Sequence, residues 1–177
     1  IGPEGDWTEV VTGARPDPGE NVTGEIASLP SAREYELPQF PAFPDLEDKG
    51  DLAAGWWPAG PHVIEESGTY SSIAVTNELT INIGDEDIEI VADHLSVTGS
   101  GRIRVNRTGS GRLILYVADG LQLTGSGKIN PDGDYDDIWL YYAGEEALTF
   151  GGSTVLSGSL FAEKADVILG GYGGVKG

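Results

Sequence analysis

Residues 91–103 read VADHLSVTGSGRI, and residues 117–129, 26 positions later, read VADGLQLTGSGKI; nine of the thirteen positions are identical. A phrase that repeats at a fixed period in the twenties is the mark of a solenoid. Each repeat is one coil, and it buries its apolar side only against its neighbours. The phrase combines short alternating stretches with glycine corners, so the coil is expected to be β. Stacking then sets Leu95 over Leu121 and Val97 over Leu123. A weaker echo at residues 143–155 would set Ala147 beneath Leu121.

From Gly68 onward the pattern is nearly pure β. Stretches of three to six residues alternate apolar with polar and break at Gly, Asn or Asp. A sandwich of hairpins fits less well, because the breaks are not mostly two-residue Asn-Gly or Asp-Gly turns. The expected fold is all-β: a right-handed parallel β-helix over residues 68–177, with coils of about 26 residues. Residues 1–67 differ. All but one of the ten Pro lie at or before Pro61, and each Pro removes a backbone donor and fixes φ. This part is expected to hold strands near residues 9–13 and 21–26, then an extended Pro-rich arm packed on the solenoid through Leu37, Phe40, Phe43 and Leu46. A short helix is expected to begin at residues 45–49 and run into 52–54, with Trp56 and Trp57 docking the arm.

The chain carries 29 acidic and 10 basic residues, a net charge of −19. That field repels nucleic acid and anionic membranes, and neither is expected as a partner. No stretch of 18 apolar residues exists, so no membrane insertion is expected within this chain. The lack of Cys removes disulfides, thiolate metal sites and thiol nucleophiles. The start at Ile1 and the glycine-rich end read as a piece of a longer chain.

Few residues point to chemistry. The Gly-Ser-Gly triplets at 99–101, 109–111 and 125–127 lack the Lys-Ser/Thr of a phosphate-binding loop and are read as corners that need positive φ. Asp132, Asp134 and Asp136 alternate in one turn, with Asp137 beside them. They form a candidate Ca²⁺ site, although no Glu closes the turn at EF-hand spacing. The competing reading is an ordinary solvated turn. Asp93 and Asp119 hold the same place in successive copies and would lie one strand apart, a spacing that suits retaining glycoside chemistry. Turn Asp residues that bond their own backbone are the plainer explanation. His62 and His94 are read as surface or loop residues. Asn21 and Asn106 fit the glycan-acceptor pattern. Arg102, Arg104, Arg107 and Arg112 form the one basic cluster, and Arg102 and Arg104, which alternate on one strand face, are read as a solvated ladder.

Several pieces resemble a domain of unknown function found in secreted bacterial proteins with a PilX-type, type IV pilus-associated N-terminus. They are the Gly-Thr-Tyr at 68–70, Leu-Thr-Ile-Asn at 79–82, Leu-Tyr-Val at 115–117, Gly-Lys-Ile-Asn at 127–130 and Gly-Ser-Leu-Phe-Ala at 158–162. The Leu-Pro-x-Phe-Pro arm at 37–41 also fits. The resemblance implies a β-helical surface module and supplies no catalytic residue. A weaker likeness to the polymer-forming bactofilins rests on residues 157–162 and the Val-Ile-Leu-Gly that follows. The expected function is a non-catalytic extracellular structural or adhesive module, pilus-associated or filament-forming. Its expected partners are itself, other surface subunits through strand edges, and surface glycans. The alternative is a carbohydrate-active β-helix, a polysaccharide lyase or glycoside hydrolase, with Trp139, Tyr141 and Tyr142 as exposed sugar-stacking aromatics.

Overall fold

A computed structural model describes residues 40–57 and 61–176. The strands expected near 9–13 and 21–26, most of the Pro-rich arm, and Asn21 lie outside the described residues. The described chain runs through β1 (Asp51–Ala54), β2 (His62–Ile64), β3 (Gly68–Val75), β4 (Glu78–Ile83), β5 (Ile88–Val97), β6 (Arg102–Arg107) and β7 (Leu113–Leu123). It continues through β8 (Lys128–Ile129), β9 (Ile138–Tyr142), β10 (Leu148–Phe150), β11 (Val155–Ser157), β12 (Ser159–Ala162), β13 (Val167–Leu169) and β14 (Gly174–Lys176).

Every pairing is parallel, and every pair joins one coil to the next. One sheet has the order β1-β3-β5-β7-β9-β12, a second has β2-β4-β6-β8-β11-β14, and β10 pairs with β13 in a third. The chain is therefore a parallel β-solenoid. Leu95 pairs with Leu121, and Val97 with Leu123, as the repeated phrase requires. The coil length is not constant. It is 22 residues from Ile73 to Leu95 and 26 from Leu95 to Leu121. It is 27 from Lys128 to Val155 and 19 from Leu156 to Val175. The period near 26 belongs to the central coils alone.

Inward side chains make continuous columns. Leu52, Ile73, Leu95 and Leu121 follow one another on the first sheet. Leu79, Ile103, Ile129, Leu156 and Val175 do so on the second. Most are fully buried, and each such side chain contributes roughly 1.5–3 kcal/mol by leaving water. In the column Tyr70, Ala92, Val117, Tyr142, Ala162 the two tyrosines are flanked by smaller side chains, so they occupy space that their neighbours leave.

The ladder starts ahead of residue 68, with a bridge from Asp48 to Thr69 and with β1 on β3. Residues 51–54 form a strand where the sequence suggested a helix. The lateral hydrogen bonds of the first coil override helix propensity there, because Ala54 closes an inward column over Val75. Trp56 and Trp57 were expected to dock the arm, most of which lies outside the described residues. They lie at the surface, 71% and 87% exposed. Phe40 and Phe43 do pack on the solenoid as expected, with their rings 5.7 Å from Tyr141 and 5.1 Å from Tyr116. Among the described residues, no helix is long and apolar enough to cross a membrane.

Candidate functional site

The loop that follows β8 is where the sequence placed a cation. Asn130 leaves the strand with φ of 50°, a conformation that Asn tolerates better than most residues. Its buried amide donates to the Asp134 carbonyl at 3.1 Å and to Asp137 Oδ2 at 3.2 Å. The Asp134 amide also donates to Asp137 Oδ2, at 2.8 Å. A single 3-10 turn over Tyr135–Asp137 then leads into β9. Asp137 is thus the hub of the loop and is buried.

The three predicted ligands do not converge. Asp132 accepts from Arg104 Nη1 at 3.1 Å, and Asp136 accepts from Arg107 Nη1 at 3.3 Å. Asp134 is exposed at the start of the 3-10 turn. Arg107 Nη1 also reaches Asp137 Oδ1 at 3.1 Å, and Arg104 Nε holds Glu78 at 2.8 Å. Among the described residues, no three carboxylates or imidazoles are arranged to hold a metal ion. The hydrogen bond to Glu78 is the main cause that raises Arg104 above the usual guanidinium value, and the bond to Asp137 does the same for Arg107. Arg104 and Arg107 are counter-ions that fasten the loop to the preceding coil, so Arg104 is not a free member of a ladder.

The loop roofs a cleft of about 230 Å³ lined by residues 131–135, Ser157 and Lys176. Ser157 and Lys176 are register partners on β11 and β14. Ser157 is 2% exposed, and among the described residues its Oγ has no hydrogen-bond partner. A hydroxyl buried in that state costs about 1–3 kcal/mol. Tyr135 stands at the cleft rim, 62% exposed. A separate cleft of about 490 Å³ runs along the seam where β10 pairs with β13 rather than β7, with His94, Gln122 and Glu146 among its lining residues.

The other sequence candidates are dispersed. The register slips between Ala92 and His94, so Asp93 faces the bulged pair Ala118 and Asp119 rather than a single partner. Asp93 and Asp119 are both exposed, and the Asp119 carbonyl accepts from the Tyr142 hydroxyl at 3.1 Å. His62 Nε2 is buried without a partner, whereas His94 is exposed beside Gly120. Asn106 is exposed, and its amide donates to Asn82 Oδ1 at 3.0 Å.

The expected aromatic platform is not open. Strand alternation turns Tyr142 inward, where it is fully buried. Tyr141 is stacked between Tyr116, at 5.5 Å, and Phe161, at 4.7 Å, with Phe40 against its edge. Trp139 carries the Arg112 guanidinium 4.4 Å above its ring. Tyr135 and Ser157 were missed. Nothing in the spacing singles out a lone Tyr among four Asp, or a Ser two coil corners away.

A family model described as a domain of unknown function (DUF7305) matches residues 5–177, and so includes the N-terminal arm that the sequence pattern sets apart. No curated protein and no solved structure matches the chain.

Proposed function

Because this chain belongs to the DUF7305 family, whose description carries no activity, we propose from its geometry that it is a non-catalytic structural or adhesive module. It works on the cell exterior and joins copies of itself or other surface subunits end to end. The observation that carries this reading is the last coil. Within the described residues β12, β13 and β14 are each the final strand of their sheet. Along β13, Val167, Ile168 and Leu169 are 43%, 50% and 59% exposed, and Tyr172 beyond it is 93% exposed. Within the described residues this leaves a parallel edge beside exposed apolar side chains, a template that another strand would complete, whether from a second copy or from chain beyond Gly177. At the first described strands Asp48 and Asp51 are exposed, with Trp56 and Trp57 exposed just beyond β1. The resemblance of residues 68–177 to modules of PilX-class secreted proteins is what favours a pilus setting over other exterior scaffolds.

Light scattering over a range of concentrations, with negative-stain microscopy, tests the proposal. Dimers or filaments that dissociate in Ile168→Lys support it. Monomers at every concentration, with no particles longer than one chain, overturn it.

A further inference from the structure

We infer that the coil end at β13 is closed by the same end of a second copy, in a two-fold, head-to-head dimer. The inference rests on the end-to-end reading above and names the partner and the strand that meets it. The backbone of β13 is the first support. The Leu148 amide donates to the Asp166 carbonyl at 2.8 Å, and the Gly170 amide donates to the Phe150 carbonyl at 2.9 Å. Strand alternation then turns the backbone groups of residues 166, 168 and 170 toward β10, and those of Val167 and Leu169 away from it. A two-fold axis through Ile168 runs two β13 strands antiparallel. Val167 then lies opposite Leu169 of the second copy, and the outward amide of each donates to the outward carbonyl of the other. The outward groups are thus their own complement, as an isologous contact requires.

The side chains agree. Val167 and Leu169 are register partners of the buried Leu148 and Phe150, yet both are exposed. Two core columns therefore run out into solvent at this end, and facing copies would cover each other's. The first coil differs. Its core residues Ala54 and Ile64 are already buried, and its exposed Trp56 and Trp57 follow β1 rather than standing in a core column. Joining like ends covers apolar rows on both copies. Joining unlike ends covers them on one copy and takes water from Asp48 and Asp51 on the other. Charge points the same way. The only charged side chains in residues 147–177 are Glu163, Lys164, Asp166 and Lys176, so this end is neutral in a chain of net charge −19. About the axis at Ile168, the corner with Glu163 and Asp166 faces the uncharged corner at residues 170–173 of the second copy, so like charges are kept apart.

The chain has no Cys, so single introduced thiols report the contact. Across the axis the two Cα atoms at position 168 would stand about 4.5 Å apart, within reach of a disulfide. Ile168→Cys, oxidised mildly at concentrations where light scattering gives twice the chain mass, should form a covalent dimer linked from 168 to 168. An equimolar mixture with Ala53→Cys should form no link from 168 to 53, the link expected where β1 of one copy continues the ladder beyond β13 of the next. Ile168→Lys should weaken dimerisation at least tenfold, because it sets two ammonium groups against each other, and Ala53→Lys should leave it unchanged. Both replaced side chains are exposed, so the fold should survive each change. Growing filaments, links from 168 to 53, or dimers without the 168–168 link overturn the inference and leave the end-to-end reading standing. Monomers at every concentration overturn both.

Discussion

Gly125 lies directly on Gly99, one coil above it. Their φ angles are 70° and 62°, and the Ser126 amide donates to the Gly99 carbonyl at 2.7 Å. A Cβ on Gly125 would stand 3.0 Å from the Gly99 carbonyl oxygen. The corner continues upward. Gly152 and Gly171 have φ of 63° and 65°, and Ser153 and Tyr172 donate to the carbonyls of Gly125 and Gly152. Four turns with a left-handed glycine are therefore stacked, each closed by a bond across the turn such as Gly101 N to Thr98 O at 2.9 Å.

Gly125→Ala combines a left-handed alanine, which costs roughly 1–2 kcal/mol, with a close contact to the coil below. The expected loss of about 2 kcal/mol corresponds to a fall in Tm of about 4–8 °C for a chain of this size. Gly84→Ala, at a glycine with open space around it, should shift Tm little. Thermal unfolding by circular dichroism compares the two.

That corner shows what the sequence made legible. Two of its four rungs share the wording Thr-Gly-Ser-Gly, and those two gave the stacking of Leu95 on Leu121. The other two read Gly-Gly-Ser-Thr and Gly-Gly-Tyr-Gly, and the coils that carry them are 27 and 19 residues long, so neither wording nor period connects them. The third Gly-Ser-Gly triplet, at 109–111, was misplaced by its likeness. It lies at another corner without positive φ, and a Cβ on Gly111 would meet the Glu86 carbonyl at 2.1 Å. β10 pairs with β13 and not with β7, so the echo that set Ala147 under Leu121 does not mark a ladder pairing among the described strands. The site was less legible still. The spacing of Asp132, Asp134 and Asp136 is visible, but their arginines sit one coil earlier, and neither ion pairs nor an orphan hydroxyl leave a trace in spacing.

The arm and the aromatic stack should respond to alkali. Burial, then the hydrogen bond to Glu89 at 3.2 Å, pushes the Tyr116 hydroxyl up to about 12. Tyr70 and Tyr142 are raised by burial as well. In the unfolded chain Tyr ionises near 10. Below that pH both states hold the proton and stability is unaffected. Between about 10 and 12 only the unfolded state gives it up, so stability falls as pH rises through that range. Phe43 covers Tyr116. Phe43→Ala should therefore lower the phenolate midpoint toward 10 and shrink the alkaline loss. Phenolate absorbance titration together with urea unfolding across this range reads both effects, and a midpoint unmoved by Phe43→Ala would remove the arm as the cause of burial.

The loop between β8 and β9 should depend on one carboxylate among four. Asp137 accepts from Asn130, from the Asp134 amide and from Arg107, and it is buried. Asp137→Ala leaves a buried amide, a backbone N–H and a guanidinium short of a partner, and unpaired groups of this kind cost about 1–3 kcal/mol in total. Asp132 also pairs with an arginine, but its carboxylate is 69% exposed, and such pairs contribute about 0–1 kcal/mol. Urea midpoints should accordingly fall clearly for Asp137→Ala and stay near the parent for Asp132→Ala. Added salt should erase what small difference Asp132→Ala makes while leaving the Asp137→Ala deficit in place, because screening acts on the exposed pair and hardly on the buried one. Equal losses in the two variants would mean that the arginine pairs, rather than the Asp137 hub, hold the loop on the solenoid.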